Sequence, residues 1–344
     1  MNMFKKSLIA VAALSALVGI KGAEDLGNGM TVGFVLENGF DSDDGSFDSN
    51  EDLFGREALL YLEGDFGKVG FGRMCILNST AGSFAIGNFT PWGTGWGAVG
   101  DQSLIFGATF GSRWDNMISY RSPEFAGFQV HAQYSLGSSS ADGTEVEGKT
   151  TTDRYYAIGA TYKNGGLNLI GIVDSINEKH KARTEDPDDT LRVTLGGSYD
   201  FGVVKPYVSA AYFKDAKMKT WLNSYTSGCQ GTTADAPDDW FSNYLNGDWD
   251  GYGVILGGSA PLVGGTAHMT IGYMDAEEQN DAQNFGADLT RYTFAVGYEY
   301  PLSKRTKVYA DAGYFKDEFD WGDKTVGDRE PEGYQAAVGL VHYF

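Results

Sequence analysis

The chain is short of the residues that build redox, metal or disulfide-stapled centres. Its 344 residues include only 2 cysteines, 4 histidines and 8 prolines. Cys75 and Cys229 fall in two different long polar segments. An exported pair could form a disulfide; two free thiols are the alternative, since spacing alone does not show that they are close. His131, His180, His268 and His342 are scattered. No Ser-His-Asp or metal-ligand spacing joins them, and the glycine pairs follow no phosphate-loop pattern, so no catalytic centre, cofactor or metal is expected. Positive charge is scarce too. Lys and Arg number 26 against 46 Asp and Glu, a formal net charge of −20. That balance argues against nucleic-acid binding, which wants a basic face, and against simple adsorption to anionic lipid. Long apolar runs are missing. Mean hydropathy is −0.28, and beyond the N-terminus no stretch is long enough for a spanning helix. A β-barrel is not excluded by this, because every second residue of its strands can be polar.

What is present is a rhythm. From about residue 25 onward a strand, a turn of a few residues, a second strand and a long acidic segment recur. The turns are 25–29, 64–67, 122–126, 164–165, 200–202, 261–264 and 301–304, rich in Gly, Asn, Asp and Pro, which supply the backbone angles of tight hairpins. The long segments are roughly 39–54, 74–112, 136–154, 175–189, 214–250, 275–288 and 316–332. Long and short connections alternate, so all the long ones fall on one rim, as in outer-membrane β-barrels. The strands alternate with period two. Tyr292, Phe294, Val296, Tyr298 and Tyr300 share one face, and Arg291, Thr293, Ala295, Gly297 and Glu299 the other. A soluble β-sandwich also alternates. Here the apolar faces carry aromatics near strand ends, like a membrane girdle. The opposite faces are polar, charged or glycine, which suits a water-filled lumen and not a dry core. The N-terminus has the outline of a secretion signal over residues 1–18: Lys5-Lys6, then an apolar Ser7–Val18 with a poor cleavage site.

A set of segments then resembles one family. They are Gly22-Ala23-Glu24-Asp25-Leu26-Gly27-Asn28-Gly29, Phe54-Gly55-Arg56-Glu57-Ala58, Phe66 to Arg73, Asn116 to Phe128 with Ser122-Pro123-Glu124-Phe125, Tyr300 to Thr306, and the terminal Val338 to Phe344. In this order and spacing the chain resembles the trimeric general porins of Gram-negative bacteria, most like those of the beta-proteobacteria. The resemblance covers nearly everything from residue 20 on. It implies an all-β, antiparallel transmembrane β-barrel of the 16-stranded type, with residues 19–344 as the barrel and the third long loop, about 75–112, folded inward. Phe344, after an alternating strand, resembles the signal that such barrels present to the assembly machinery. About fifteen strands are legible here: 19–24, 30–38, 55–63, 68–73, 113–121, 127–135, 155–163, 166–174, 191–200, 204–213, 251–260, 265–274, 290–300, 306–315 and 333–344. Against the family pattern, in which a first strand and a first long loop come before this point, the resemblance implies that the first strand and most of the second are missing. Three explanations fit: a deletion variant or imperfect gene model, which is favoured; an uncut apolar stretch serving as a replacement strand over 13–23; or closure with fewer strands.

The resemblance also implies a site. Family porins set arginines on the wall against acidic groups of the inward loop. Motif matching places Arg56 and Arg113 in that ladder, with Arg73 next. A further family arginine falls at Leu17-Val18 and is lost. On the loop the acidic side is reduced to Asp101, and Thr90 to Trp96 replaces the usual carboxylates. A weak transverse field and a neutral, aromatic constriction with Trp92 and Trp96 are therefore expected. The expected function is a general diffusion porin, a homotrimer that passes ions and small hydrophilic solutes passively across the outer membrane, with a mild preference for cations. The acidic long loops would bridge divalent cations to lipopolysaccharide, attract cations or simply be solvated. The alternatives are a barrel selective for sugars or amino acids and a structural or adhesive outer-membrane protein. No enzymatic activity is expected.

Overall fold

Period-two segments broken by turn residues fold as a run of hairpins. The computed structural model describes residues 7–11, 15–41, 45–47, 53–87, 89–92, 105, 113–137, 147–149, 152–177, 188–217, 248–279, 287–321, 330 and 332–342. Its strands are β1 (Ser7–Val11), β2 (Ser15–Gly27), β3 (Met30–Asp41), β4 (Glu57–Gly64), β5 (Gly67–Cys75), β6 (Arg113–Arg121), β7 (Phe128–Ser135), β8 (Arg154–Asn164), β9 (Leu167–Asn177), β10 (Thr190–Tyr199), β11 (Lys205–Lys217), β12 (Asp248–Leu262), β13 (Gly265–Glu278), β14 (Ala287–Pro301), β15 (Thr306–Trp321) and β16 (Glu332–His342). They form one sheet in the order β1-β16-β15 and so on down to β2. All fifteen expected strands are present, as β2 to β16. The turns carry the expected chemistry: Asn28 and Gly29 have φ of 54° and 74°, and Gly264 of 81°, the left-handed region tight hairpins require.

The strands differ from expectation in two respects. Several strands run further toward the long connections: β11 reaches Lys217, β13 Glu278 and β15 Trp321. Their ladders continue there, with Lys217 opposite Asp248, Trp249 opposite Glu278 and Ala287 opposite Trp321. Residues such as Lys316-Asp317-Glu318 show no apolar face to announce a strand, yet pairing still satisfies their backbone groups. At the other end, Ser7–Val11, which reads from sequence as the core of an export signal, lies as a short strand parallel to β16, with Ser7 opposite Gly333 and Val11 opposite Ala337. It supplies partners along an edge of β16 that the fifteen-strand meander leaves without one, and a bare edge in lipid is costly.

The chain divides into two units, an N-terminal one (residues 14–88 and 110–194) and a C-terminal one (1–13, 89–109 and 195–344). In each, burial is inverted relative to a water-soluble sheet. In the N-terminal unit Leu60 and Ile158 are 55% and 59% exposed, while Ser119 and Asp174 are buried. In the C-terminal unit Leu195 and Val338 are 61% and 69% exposed, while Arg291 and Asp317 are buried. A face this apolar and this open to its surroundings matches lipid as the neighbouring phase. Exposed aromatics border it near both strand ends. Phe128 packs on Tyr162, with ring centroids 4.4 Å apart, near the short turns. Tyr134 packs on Tyr156 at 5.3 Å, toward the long connections. On β14, Tyr292 and Tyr300 are both exposed. Eight residues of strand separate them, about 27 Å along the chain and about 20 Å of membrane depth at the usual tilt. Ile158→Lys, midway along the apolar face of β8, is accordingly expected to destabilise the folded protein in phospholipid vesicles by about 2–4 kcal/mol. A urea titration that leaves the midpoint unmoved would mean that this face does not meet lipid.

Candidate functional site

Small residues recur on the polar face of the sheet. Gly70, Gly159, Gly253, Gly257 and Gly272 stand on it, and each lies under a residue of the connection after β5. A Cβ on Gly70 would meet the Phe84 ring at 2.4 Å, and one on Gly159 would touch Leu77 and Ile86. A Cβ on Gly257 would meet Pro91 at 2.9 Å, and one on Gly253 the backbone of Ile105 at 2.0 Å. Strand glycines of this kind mark where another chain segment comes close.

Hydrogen bonds hold the segment in both units. In the N-terminal unit Asn78 Nδ2 donates to Thr194 Oγ1 at 2.8 Å, and Gln133 Nε2 donates to the Cys75 carbonyl at 3.1 Å. Glu57 accepts from the Ser83 amide at 3.1 Å and from its hydroxyl at 2.8 Å. In the C-terminal unit Ser209 Oγ donates to the Phe89 carbonyl at 2.7 Å. Trp92, 1% exposed, donates from Nε1 to Thr270 Oγ1 at 2.8 Å and tilts against His268, with centroids 5.7 Å apart. Ile105 packs with Ala211 and Ile255. The segment turns back on itself between these anchors, as Ile86 N bonds to Leu77 O at 2.8 Å and Gly87 N to Ser79 O at 2.9 Å. Cys75 is a buried free thiol.

Arg56, Arg73 and Arg113 come together at the entry to β4. Arg73 Nε donates to the Gly55 carbonyl at 2.7 Å, and its Nη1 pairs with Asp115 Oδ1 at 2.6 Å. Arg113 Nε donates to the Arg56 carbonyl at 3.0 Å, and Arg56 Nε pairs with Glu37 Oε1 at 2.9 Å. A bulge helps to place them. The β5–β6 register shifts between Gly72 and Met74, which re-aims the flanking side chains. Gly72 has φ of 125°, and a Cβ there would lie 2.1 Å from the Ala58 carbonyl oxygen, so only glycine fits. Sequence reasoning singled out the three arginines, which the structure brings together, but not the acids beside them. Glu37, Glu57 and Asp115 come from three strands, and no local pattern singles them out. The glycine bed was legible in principle, as glycines recurring at even spacing on a polar face. Trp96, Asp101 and Cys229 lie outside the described residues.

An apolar face open to lipid between aromatic belts, and a polar face overlaid by a connecting segment, define a pore-forming protein of the outer membrane. The chain belongs to the Gram-negative porin family, whose model matches residues 11–320. It is similar to an outer membrane porin protein of Bordetella pertussis, 33% identical over 311 residues that make up 87% of this chain and 76% of that protein. It is also similar to outer membrane porin protein 32 of Delftia acidovorans, 28% identical over 88% of this chain and 75% of that protein. Among solved structures, the anion-selective porin from Comamonas acidovorans superposes with a TM-score of 0.62 at 24% identity, covering 97% of this chain and 91% of that one. The fold is the antiparallel porin β-barrel, in the outer membrane of a Gram-negative bacterium. Its function is that of a channel for passive diffusion.

Proposed function

We propose that residues 75–112 fold inward to narrow a water-filled, non-enzymatic channel for ions and small hydrophilic solutes. The anchorage of the segment on the polar face in both units carries this reading. Arg56, Arg73 and Arg113 would line the narrow part, with Trp96 and Asp101 completing it. Two of the three arginines are already paired with strand carboxylates, and Glu57 adds a third acid. Their fields largely cancel, so the constriction sorts solutes weakly. The buried Trp92 acts as an anchor and not as a stacking surface, which favours general diffusion over a sugar-selective channel. The acidic long connections would give a mild cation preference at that rim and a site for lipopolysaccharide-bound cations. The assembly would be a homotrimer; an outer membrane protein of Vibrio cholerae with a TM-score of 0.58 to this chain is described in a trimer form. Residues 1–18 would serve as the export signal.

Planar-bilayer recording of the refolded chain in a potassium chloride gradient tests this. Discrete steps with linear current in salt, unaffected by sugars, are the expected result. Saturable block by a sugar would favour the selective channel, and the absence of steps would favour a structural or adhesive protein.

A further inference from the structure

On the polar face of the N-terminal unit two cations, Lys68 and Arg121, stand apart from the arginine cluster and from the paired Arg192. Lys68, the second residue of β5, and Arg121, the last of β6, are direct cross-strand partners. Both stand beside the short turns, at the opposite end of their strands from Cys75 and Arg113. Like charges set directly opposite one another destabilise a sheet, so the pair needs a compensating feature. Phe84 is part of it. Its buried ring lies 5.9 Å from Lys68 Nζ and 5.9 Å from Arg121 Cζ. Lys68 Nζ is also 3.5 Å from the Tyr61 ring centroid. Aromatic faces hold cations in place without neutralising them. The carboxylate that pairs with Lys68 is Glu63, 3.5 Å away and half exposed; Glu57, already bonded to Ser83, acts on Lys68 only from farther off. The Arg121 side chain makes no hydrogen bond or ion pair among the described residues, and its backbone is held in the ladders of β5 and β7. Its partner on β7, His131, is buried and adds no negative charge. Two cations thus have one loosely held acid in direct contact, with a second acid engaged elsewhere.

We infer that Lys68 and Arg121, steadied by Phe84, form an anion-binding step at the short-turn end of the channel, suited to a small doubly charged oxyanion. The guanidinium presents a planar fork to two oxygens, and the ammonium acts as a point charge on the other side. An anion between them offsets the like-charge repulsion of the pair. The inference rests on the channel reading above and deepens it. Attraction for cations at the acidic rim would be followed by a station for anions at the opposite mouth.

The test is bilayer recording of the full chain and of a Lys68→Gln, Arg121→Gln variant, with inorganic phosphate or succinate added to either side. The unmodified protein should show concentration-dependent block of chloride current by both dianions, stronger from the short-turn side. Phosphate alone acting would narrow the class to phosphate, and succinate alone to dicarboxylates. The variant should keep its steps, lose the block and lower its anion-to-cation permeability ratio by about three- to tenfold, the size expected for two partly screened charges about 5 Å from a passing ion. Lys68→Arg should retain the block. Steps with unchanged block and ratio in the double variant would overturn the inference while leaving the channel reading intact. Absence of steps in the unmodified protein would overturn both. Should the variant fail to fold, broadening of the phosphorus resonance of inorganic phosphate by the unmodified refolded protein, reversed by excess chloride, decides the matter; no broadening overturns the inference.

Discussion

Arg291→Ala is expected to lower the unfolding free energy by about 3–5 kcal/mol, the cost of leaving a buried charge without its partner. Arg291 on β14 and Asp317 on β15 are direct cross-strand partners. Arg291 Nε donates to Asp317 Oδ1 at 2.6 Å and Nη2 to Oδ2 at 2.7 Å, a bidentate pair. The side chains are 0% and 3% exposed. Removing the guanidinium strands the carboxylate away from water. The paired change Arg291→Met, Asp317→Leu removes both charges of this pair and should recover most of the loss. The N-terminal unit has a counterpart, Arg192 with Asp174, at 3.0 Å and 2.6 Å. There the Tyr155 hydroxyl also donates to Asp174 Oδ2 at 3.1 Å, so Arg192→Ala should cost less. Urea midpoints in phospholipid vesicles give the ordering. A single variant at Arg291 as stable as the unmodified protein would mean that water reaches Asp317.

Gly253→Val is expected to loosen the connecting segment and to change the channel itself. A Cβ at residue 253 would lie 2.0 Å from the Ile105 carbonyl oxygen, far inside contact distance, and no rotamer relieves a clash made by Cβ. Gly272 forms a second hollow for the same residue, with Ile105 Cδ1 2.8 Å from where its Cβ would be. Overpacking of this kind costs about 1–3 kcal/mol, and each 1.4 kcal/mol shifts a population about tenfold. Phe89, Pro91 and Trp92 still hold the rest of the segment, so partial release is expected and not unfolding. Larger and noisier single-channel steps are the predicted signature. Gly258→Val is the control, because the nearest atom to its Cβ is 3.9 Å away. Identical traces from both variants would show that Ile105 does not restrict the channel.

The meander was legible because its determinants are local. Alternation over ten residues and the turn residues between strands act within one hairpin, and β2 to β16 lie where those signals put them. The places where sequence reading stopped short, such as 316–318 and 275–278, are stretches near strand ends whose polar side chains carry no apolar period. Ser7–Val11 is ambiguous for a related reason. Five aliphatic and small residues suit an export signal and a strand equally, and its pairing with β16 is not written in its own sequence.

The sequence by itself determined the order of strands, the rim to which the long connections belong, the apolar face and three arginines worth examining. It could do so because periodicity and turn chemistry survive without knowledge of any distant partner. Only the tertiary structure decided what those residues touch. Arg73 meets Asp115, Asn78 meets Thr194 and Trp92 meets Thr270 across 42, 116 and 178 residues of chain. Lys68 and Arg121 become neighbours through strand register alone. Such pairings depend on which strands lie side by side and on where a long connection settles. A short-range pattern carries neither, because the contacts are made in space between residues that are remote along the chain.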